Sequence, residues 1–335
     1  MGLIVPGEAG DRTVSVWRTL CHDGPVTAGR WTRSAGALGL VGAGALAYAL
    51  VEAQNFTVRR RTVAALPTGA PPFTILHLSD LHLTPTQGRK IEWLRTLAAL
   101  DADLVVSTGD HLSHPDAIPV LLDAIDPLLE RPGIFVFGSN DYTGPVIKNP
   151  LNYLRQGPAP VLGGEPLPVE DLRDGLTASG WLDANNERAN LSLATGVTLD
   201  VVGVDDPHIG LDRYADVAGP RSPEADLLLG VTHAPYLRVL DAMAADGCDL
   251  VLAGHTHGGQ VCLPGYGTLV TNCDLDRARA RGLSTHPADR DPEEEKVSWL
   301  HVSAGVGTSP YTPIRVACRP EAVLLTLIPR SRDHD

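Results

Sequence analysis

Phe73-Thr-Ile-Leu-His-Leu-Ser-Asp-Leu-His82 is a short apolar run that ends in an acid and an imidazole two residues apart. Its length and composition are those of a buried strand. The same unit recurs along the chain. Residues 104–107 run into Gly109-Asp110, 134–137 into Ser139-Asn140-Asp141, 227–232 into His233, and 250–253 into Gly254-His255-Thr256-His257. Helical patterns over 90–100, 117–130 and 236–245 separate these runs, and 298–302 and 322–328 read as closing strands. Strands alternating with helices predict an α/β fold, with no internal repeat.

Five expected strands thus end in candidate metal ligands. In an α/β sheet, ligands gather beyond the carboxyl ends of the strands, so side chains far apart in sequence are expected to converge there. In extended chain, residues i and i+2 point to the same side, so Asp80 with His82 and His255 with His257 are expected to share a pocket. Singly, each signal is weak. Gly-Asp after a strand is commonly a turn or a cap, and His233 alone reads as a core histidine. Their order, each at a strand end, makes a metal centre the stronger reading. Mixed oxygen and nitrogen donors suit Mn, Fe, Zn or Co. Gly-x-Ser-x-Gly, Walker A and GxGxxG signatures are all missing, so no nucleophilic side chain is called for.

These motifs resemble those of the calcineurin-like metallophosphoesterases: Asp-x-His, Gly-Asp, Gly-Asn-His-Asp/Glu, a lone His and Gly-His-x-His. Within that superfamily, Gly254 to Gln260 (Gly-His-Thr-His-Gly-Gly-Gln) is similar to a membrane-associated bacterial branch. The resemblance covers about 73–328, and four of the five motifs match fully. It implies a four-layer αββα sandwich and two divalent cations. Asp80, His82, Asp110 and His257 would hold one cation, and Asp110, His233 and His255 the second, with Asp110 bridging. The implied reaction is attack of a metal-activated hydroxide on phosphorus.

The third motif departs from the pattern, reading Gly138-Ser139-Asn140-Asp141. Without a gap, Ser139 replaces the ligand Asn and Asn140 the His. Shifted by one, Asn140 stays a ligand and Asp141 takes the histidine position. Asn140 and Asp141 are therefore both catalytic candidates, and Asn140 also a metal ligand through its carbonyl. Neither delivers a proton readily, since Asn has none to give and an Asp beside cations is ionised. Leaving groups that depart unprotonated, aryl or phosphoryl, are expected. His111, His114 and His208 are alternative proton donors whose ordinary reading is structural. His208, in Asp205-Asp206-Pro207-His208, and Arg315, in a Pro-rich loop, are candidate substrate contacts, Arg315 through a bidentate fork to phosphate.

The chain has 27 basic and 40 acidic residues, a net charge of -13. That balance argues against nucleic acid as a partner, hence against a nuclease, and requires a local positive centre for any anionic substrate. Cys21, Cys248, Cys262, Cys273 and Cys318 show no CxxC spacing and are expected to be free, a Cys262–Cys273 bridge being the alternative. Residues 1–34 form a polar segment, 35–51 a candidate transmembrane helix, 52–72 a linker and 73–330 the catalytic domain. The 35–51 run reads as a single-pass anchor in the cell membrane, with a signal peptide or a packed soluble helix as alternatives. Phosphorylated lipids, lipid-linked or nucleotide-linked esters and diphosphates are the expected substrates. The alternatives are a nucleotide phosphodiesterase and a catalytically impaired metal-binding membrane protein.

Overall fold

The computed structural model describes residues 28–147 and 163–330, with side chains from Leu40 onward. The chain divides into two units, 1–45 and 46–335, and the site lies wholly in the second. In chain order the elements are α1 (Ala28–Glu52), β1 (Thr57–Leu66), β2 (Phe73–Leu78), α2 (Gly88–Thr96), β3 (Leu104–Thr108), α3 (Ile118–Leu129) and β4 (Gly133–Val136). Then come the single turn α4 (Ser139–Tyr142), α5 (Val169–Ala178), β5 (Leu182–Asp183), β6 (Arg188–Ser192), β7 (Thr198–Gly203) and β8 (Leu227–Val231). The series ends with α6 (Leu237–Ala245), β9 (Leu250–Ala253), β10 (Cys262–Leu263), β11 (Gly267–Thr268), β12 (Gly282–His286), β13 (Ser298–Val302) and β14 (Glu321–Pro329).

Two six-stranded sheets form the body, in the orders β1-β14-β2-β3-β4-β5 and β12-β13-β9-β8-β7-β6. The strands carrying the motifs, β2, β3 and β4 in one sheet and β8 and β9 in the other, pair in parallel. Strand alternation assigns the faces. Phe73 and Ile75 of β2 join Leu104, Val106, Leu199, Leu229 and Leu252 in the layer between the sheets. Leu76 and Leu78 instead meet α2, α3 and α5. On the other sheet, Leu228, Val251 and Leu300 face α6 through Val239, Leu240 and Met243. The result is the αββα order of layers. Each fully buried large aliphatic or aromatic side chain stabilises it by roughly 1.5–3 kcal/mol.

Helix α3 illustrates how sequence sets this packing. Pro119 sits in its first turn, where a missing N–H is no loss, and Leu121, Ala124, Ile125 and Leu128 make its buried stripe.

Two expectations change. The 52–72 stretch is more than a linker, because β1 pairs in parallel with β14 along its length. Arg59, Arg60 and Arg61 disguise it as a loop, yet charges are what an edge strand carries, and Arg59 is ion-paired with buried Glu321. Among the described residues no helix is long and apolar enough to cross a membrane. Residues 35–39 of the expected span lie outside the described side chains, as do residues 1–27 entirely. The cysteines meet the expectation of free thiols: Cys248, Cys262, Cys273 and Cys318 are free and buried, and the alternative Cys262–Cys273 bridge is not formed. Cys262 instead packs with Cys318 and Ala304. Cys21 lies outside the described residues.

Candidate metal centre

The loops that follow β2, β3, β4, β8 and β9 bring the motif residues together. The ligand pairs are not in extended chain, as the i, i+2 argument required. Among the described residues, twelve non-glycine residues have positive φ, and Asp80, His82, Asp110, His255 and His257 are five of them. A left-handed conformation costs a non-glycine residue on the order of 1–3 kcal/mol and persists only where the surroundings enforce it. Here the enforcement is a ladder of backbone bonds, Asp80 N–H to Gly109 O and His82 N–H to Asp110 O at 2.9 Å, and Gly254 N–H to His233 O at 2.8 Å. Two glycines are obligatory for close approach. A Cβ at Gly138 would lie 2.3 Å from Asp110 Oδ1, and one at Gly254 would lie 1.8 Å from Ser79 Oγ.

Asp110 is the pivot. Its Oδ2 lies 3.4 Å from His82 Nε2 and its Oδ1 lies 3.5 Å from His233 Nε2, so its two oxygens face different imidazoles. On the first side, His82 Nε2 and His257 Nε2 are 3.1 Å apart, and His257 Nε2 is 3.5 Å from Asp80 Oδ1. One donor atom from each of Asp80, His82, Asp110 and His257 lies within 4.8 Å of all the others. On the second side, His233 Nδ1 donates to Thr108 O at 2.6 Å, which leaves its Nε2 as the free ring position, buried and without a hydrogen-bond partner. His255 Nε2 donates to Asn272 O at 3.3 Å, so its lone pair is on Nδ1, and its ring stands edge-on to His233 with centroids 5.2 Å apart.

Apart from that of His233, the protonation states suit a cation. Burial lowers His82 to about 4 and holds His255 and His257 well below the usual imidazole range. Burial pushes the Asp80 carboxyl up. Burial also opposes ionisation of Asp110, but His233, His82 and the Asn140 N–H outweigh it and keep that carboxyl low. Burial works against a charged His233 too, yet Asp110, then Asp206 and Asp80, lift its pKa to about 9. Imidazole nitrogens and carboxylates converging in a largely buried site, with one nitrogen lacking a partner, fit first-row divalent cations, which would displace the His233 proton on binding.

The third motif resolves into two roles. Asn140 reaches the site: its backbone N–H donates to Asp110 Oδ1 at 2.8 Å and its Nδ2 to Oδ2 at 2.7 Å. Asp141 does not. It is fully buried, and its carboxylate accepts from the N–H groups of His111, Leu112 and Gly138 while meeting His111 Nδ1 at 3.0 Å. It fixes the loop after β3, so its expected catalytic role gives way to a positioning one. His111 is closed off by Asp141 and by Ser107 Oγ at 2.7 Å, and His114 is exposed, accepting from Asp116 N–H as a helix cap.

His208 stands at the edge of the second side, its ring centroid 4.5 Å from that of His255 and its Nδ1 3.1 Å from Tyr236 Oη. Arg315 is the clear correction. It is fully buried, and its Nη2 donates among Ala304 O, Gly305 O and Gly307 O at 2.7, 3.1 and 2.7 Å. With those carbonyls taking the Nη2 protons, no fork is left for phosphate. Arg315 ties the 304–307 loop beside the centre instead.

Several supporting residues escaped the motif reading. Lys90 is buried and donates from Nζ to Leu81 O at 2.6 Å and His82 O at 3.3 Å, bracing the first ligand loop; burial lowers it to about 7. A lysine two positions into an amphipathic helix reads as surface. Asp206 stood in the sequence only as a neighbour of His208. It is fully buried, and burial pushes its carboxyl up to about 7.

Known proteins are similar to this chain in sequence. Residues 73–259 match the family model described as calcineurin-like phosphoesterase. The uncharacterized metallophosphoesterase YkuE of Bacillus subtilis is 27% identical over 293 residues, covering 83% of this chain and 86% of that protein. A second B. subtilis protein, the uncharacterized metallophosphoesterase YkoQ, is 30% identical over 74% of this chain and 80% of its own length. Phosphodiesterase YaeI of Escherichia coli is 25% identical over 82% and 88%. With the match spanning both sheets and the ligand-bearing loops, the chain belongs to the calcineurin-like phosphoesterase family and is a phosphoester hydrolase with a candidate metal-binding cluster.

Proposed function

We propose that the protein hydrolyses phosphate esters or phosphoanhydrides with two divalent cations, one on each side of Asp110. The observation that carries this reading is the straddled carboxylate, whose Oδ1 and Oδ2 face His233 and His82 respectively. Cations bound there would draw charge from the phosphoryl oxygens and make water a competent nucleophile near neutral pH.

The chain's own groups do the rest. Asp80, His82 and His257 form one ligand face, and His233 and His255 the other. Asn140 fixes Asp110 by gripping both of its oxygens. An amide has no proton to deliver to a departing oxygen, so leaving groups of low basicity are favoured. Diphosphates linked to lipids or nucleotides belong to that class, because their leaving group is a phosphoryl group.

The test uses the full chain loaded with Mn²⁺, assayed on bis(p-nitrophenyl) phosphate and on a nucleoside diphosphate ester, beside Asp110→Asn, with metal counted on both. The reading predicts turnover that Asp110→Asn reduces by about 10³-fold or more, the scale of losing a principal electrostatic group. It also predicts about two cations per wild-type chain, the count of a two-metal site. Cation uptake without turnover of any ester would overturn it.

A further inference from the structure

The two sides of Asp110 are unequal in charge. The first has Asp80 for its own carboxylate and shares Asp110. The second, by the motif residues, has only two imidazoles and its share of Asp110. The third motif does not supply the missing oxygen, since Ser139 is a neutral hydroxyl and Asn140 directs its amide N–H at Asp110.

One carboxylate is placed to correct this. Asp206 follows β7, at the same end of the second sheet as His233 and His255. It is fully buried. Its Oδ1 accepts the His208 N–H at 2.8 Å, while its Oδ2 has no hydrogen-bond partner. Among the described residues, His233 Nε2 is in the same condition. A buried carboxylate oxygen without a donor is costly, and native structures keep such atoms rarely and for a reason. Two of them stand just beyond the ends of neighbouring parallel strands, Asp206 Oδ2 after β7 and His233 Nε2 after β8. Among the described residues no protein group hydrogen-bonds to either atom. A cation satisfies both.

We propose that Asp206 belongs to the second cation position, where its Oδ2 provides the anionic oxygen that Ser139 does not. Each cation then has one carboxylate of its own, Asp80 or Asp206, and shares Asp110. The ion is a first-row divalent metal, as the imidazole and carboxylate donors require. The Asp205-Asp206-Pro207-His208 turn becomes part of the centre, with His208 N–H fixing the carboxylate's other oxygen. This inference rests on the two-cation reading above.

The experiment counts cations on metal-free wild type and Asp206→Asn titrated with Mn²⁺, by calorimetry and by bound-metal analysis. Asparagine keeps the acceptor for His208 N–H and removes the buried charge, so a merely structural Asp206 would be replaced without loss. The expected result is two cations on wild type and one tight cation on Asp206→Asn, the second weakened by at least about 10–100-fold, the range for losing a supporting carboxylate at a metal. Thermal melts of both metal-free proteins check folding, and Asp206→Ser is titrated in the same way should the asparagine variant fail to fold. Two equally tight cations on the variant would overturn the assignment of Asp206. A single cation on wild type would overturn the two-cation reading itself, so the two failures are distinguishable.

Discussion

The two sides of Asp110 are built by different means. Asp80, His82 and His257 lie on backbone held in the left-handed region, and their donor atoms already converge with Asp110 to within 4.8 Å. His82 and His257 are stacked, with centroids 5.0 Å apart. His233, by contrast, is aimed by one bond to Thr108 O, and around it the partners come from a turn after β7 and an altered third motif. The first side draws its donors from intact motifs, while the second has an altered third motif beside it and, by our proposal, draws on a carboxylate that no motif names. A motif therefore predicts ligands better than it predicts their completeness.

That contrast is open to attack. The largest effect should come from separating the sides. His257→Ala should lose the first cation and His233→Ala the second, each with about 10²–10³-fold less turnover, as for one principal electrostatic group. Loss of the same cation in both variants, read by metal titration, would erase the distinction.

Next comes Arg315, whose Nη2 holds the 304–307 carbonyls and meets His257 Nδ1 at 3.4 Å. Arg315→Met should lower stability by about 3 kcal/mol, since several buried acceptors lose their donor. KM should stay unchanged. A raised KM with unaltered stability would restore Arg315 as a phosphate contact.

A smaller effect is expected from repairing the third motif. Asn140→His should raise turnover of alkyl phosphodiesters relative to aryl ones by about 10-fold, below the 10²–10⁴-fold of a fully positioned general acid. An unchanged ratio would show that leaving-group protonation does not limit the reaction.

The smallest is a pH effect beneath the centre. His77 and His301 join the two sheets through an Nδ1 to Nδ1 contact of 2.9 Å, and His77 Nε2 meets Thr108 Oγ1 at 3.0 Å. Burial lowers His301 to about 3 and His77 well below its usual value. Above pH of about 6.5 neither folded nor unfolded chain protonates them, so they leave stability flat. Below it the unfolded chain binds protons that the folded chain refuses, so stability should fall as pH drops from about 6.5 toward 5, by on the order of 1 kcal/mol per pH unit for each imidazole. Urea unfolding of the metal-free protein across that range checks this, and an unchanging midpoint would contradict it.

Much of this was legible in the chain. The runs at 73–78, 250–253 and 298–302 are strands β2, β9 and β13 because buried parallel strands are short, continuous and apolar. The ligand candidates were legible because each follows such a run. Other features were not. Arg59 to Arg61 hid β1, since an edge strand can be as charged as a loop. Left-handed backbone at Asp80 and His257 has no signature in residue spacing. Arg315 read as a phosphate contact because a guanidinium in a Pro-rich loop is usually accessible, and only the fold shows it buried and capping carbonyls. Asp206 could not be ranked above a turn residue until its Oδ2 was seen to be buried without a partner.

The most direct test of the account is a crystal structure of the full chain with Mn²⁺, read by anomalous diffraction. Two peaks are predicted, one among Asp80, His82 and His257 and one beside His233, His255 and Asp206, with Asp110 between them. A single peak, or peaks that do not share Asp110, would contradict it.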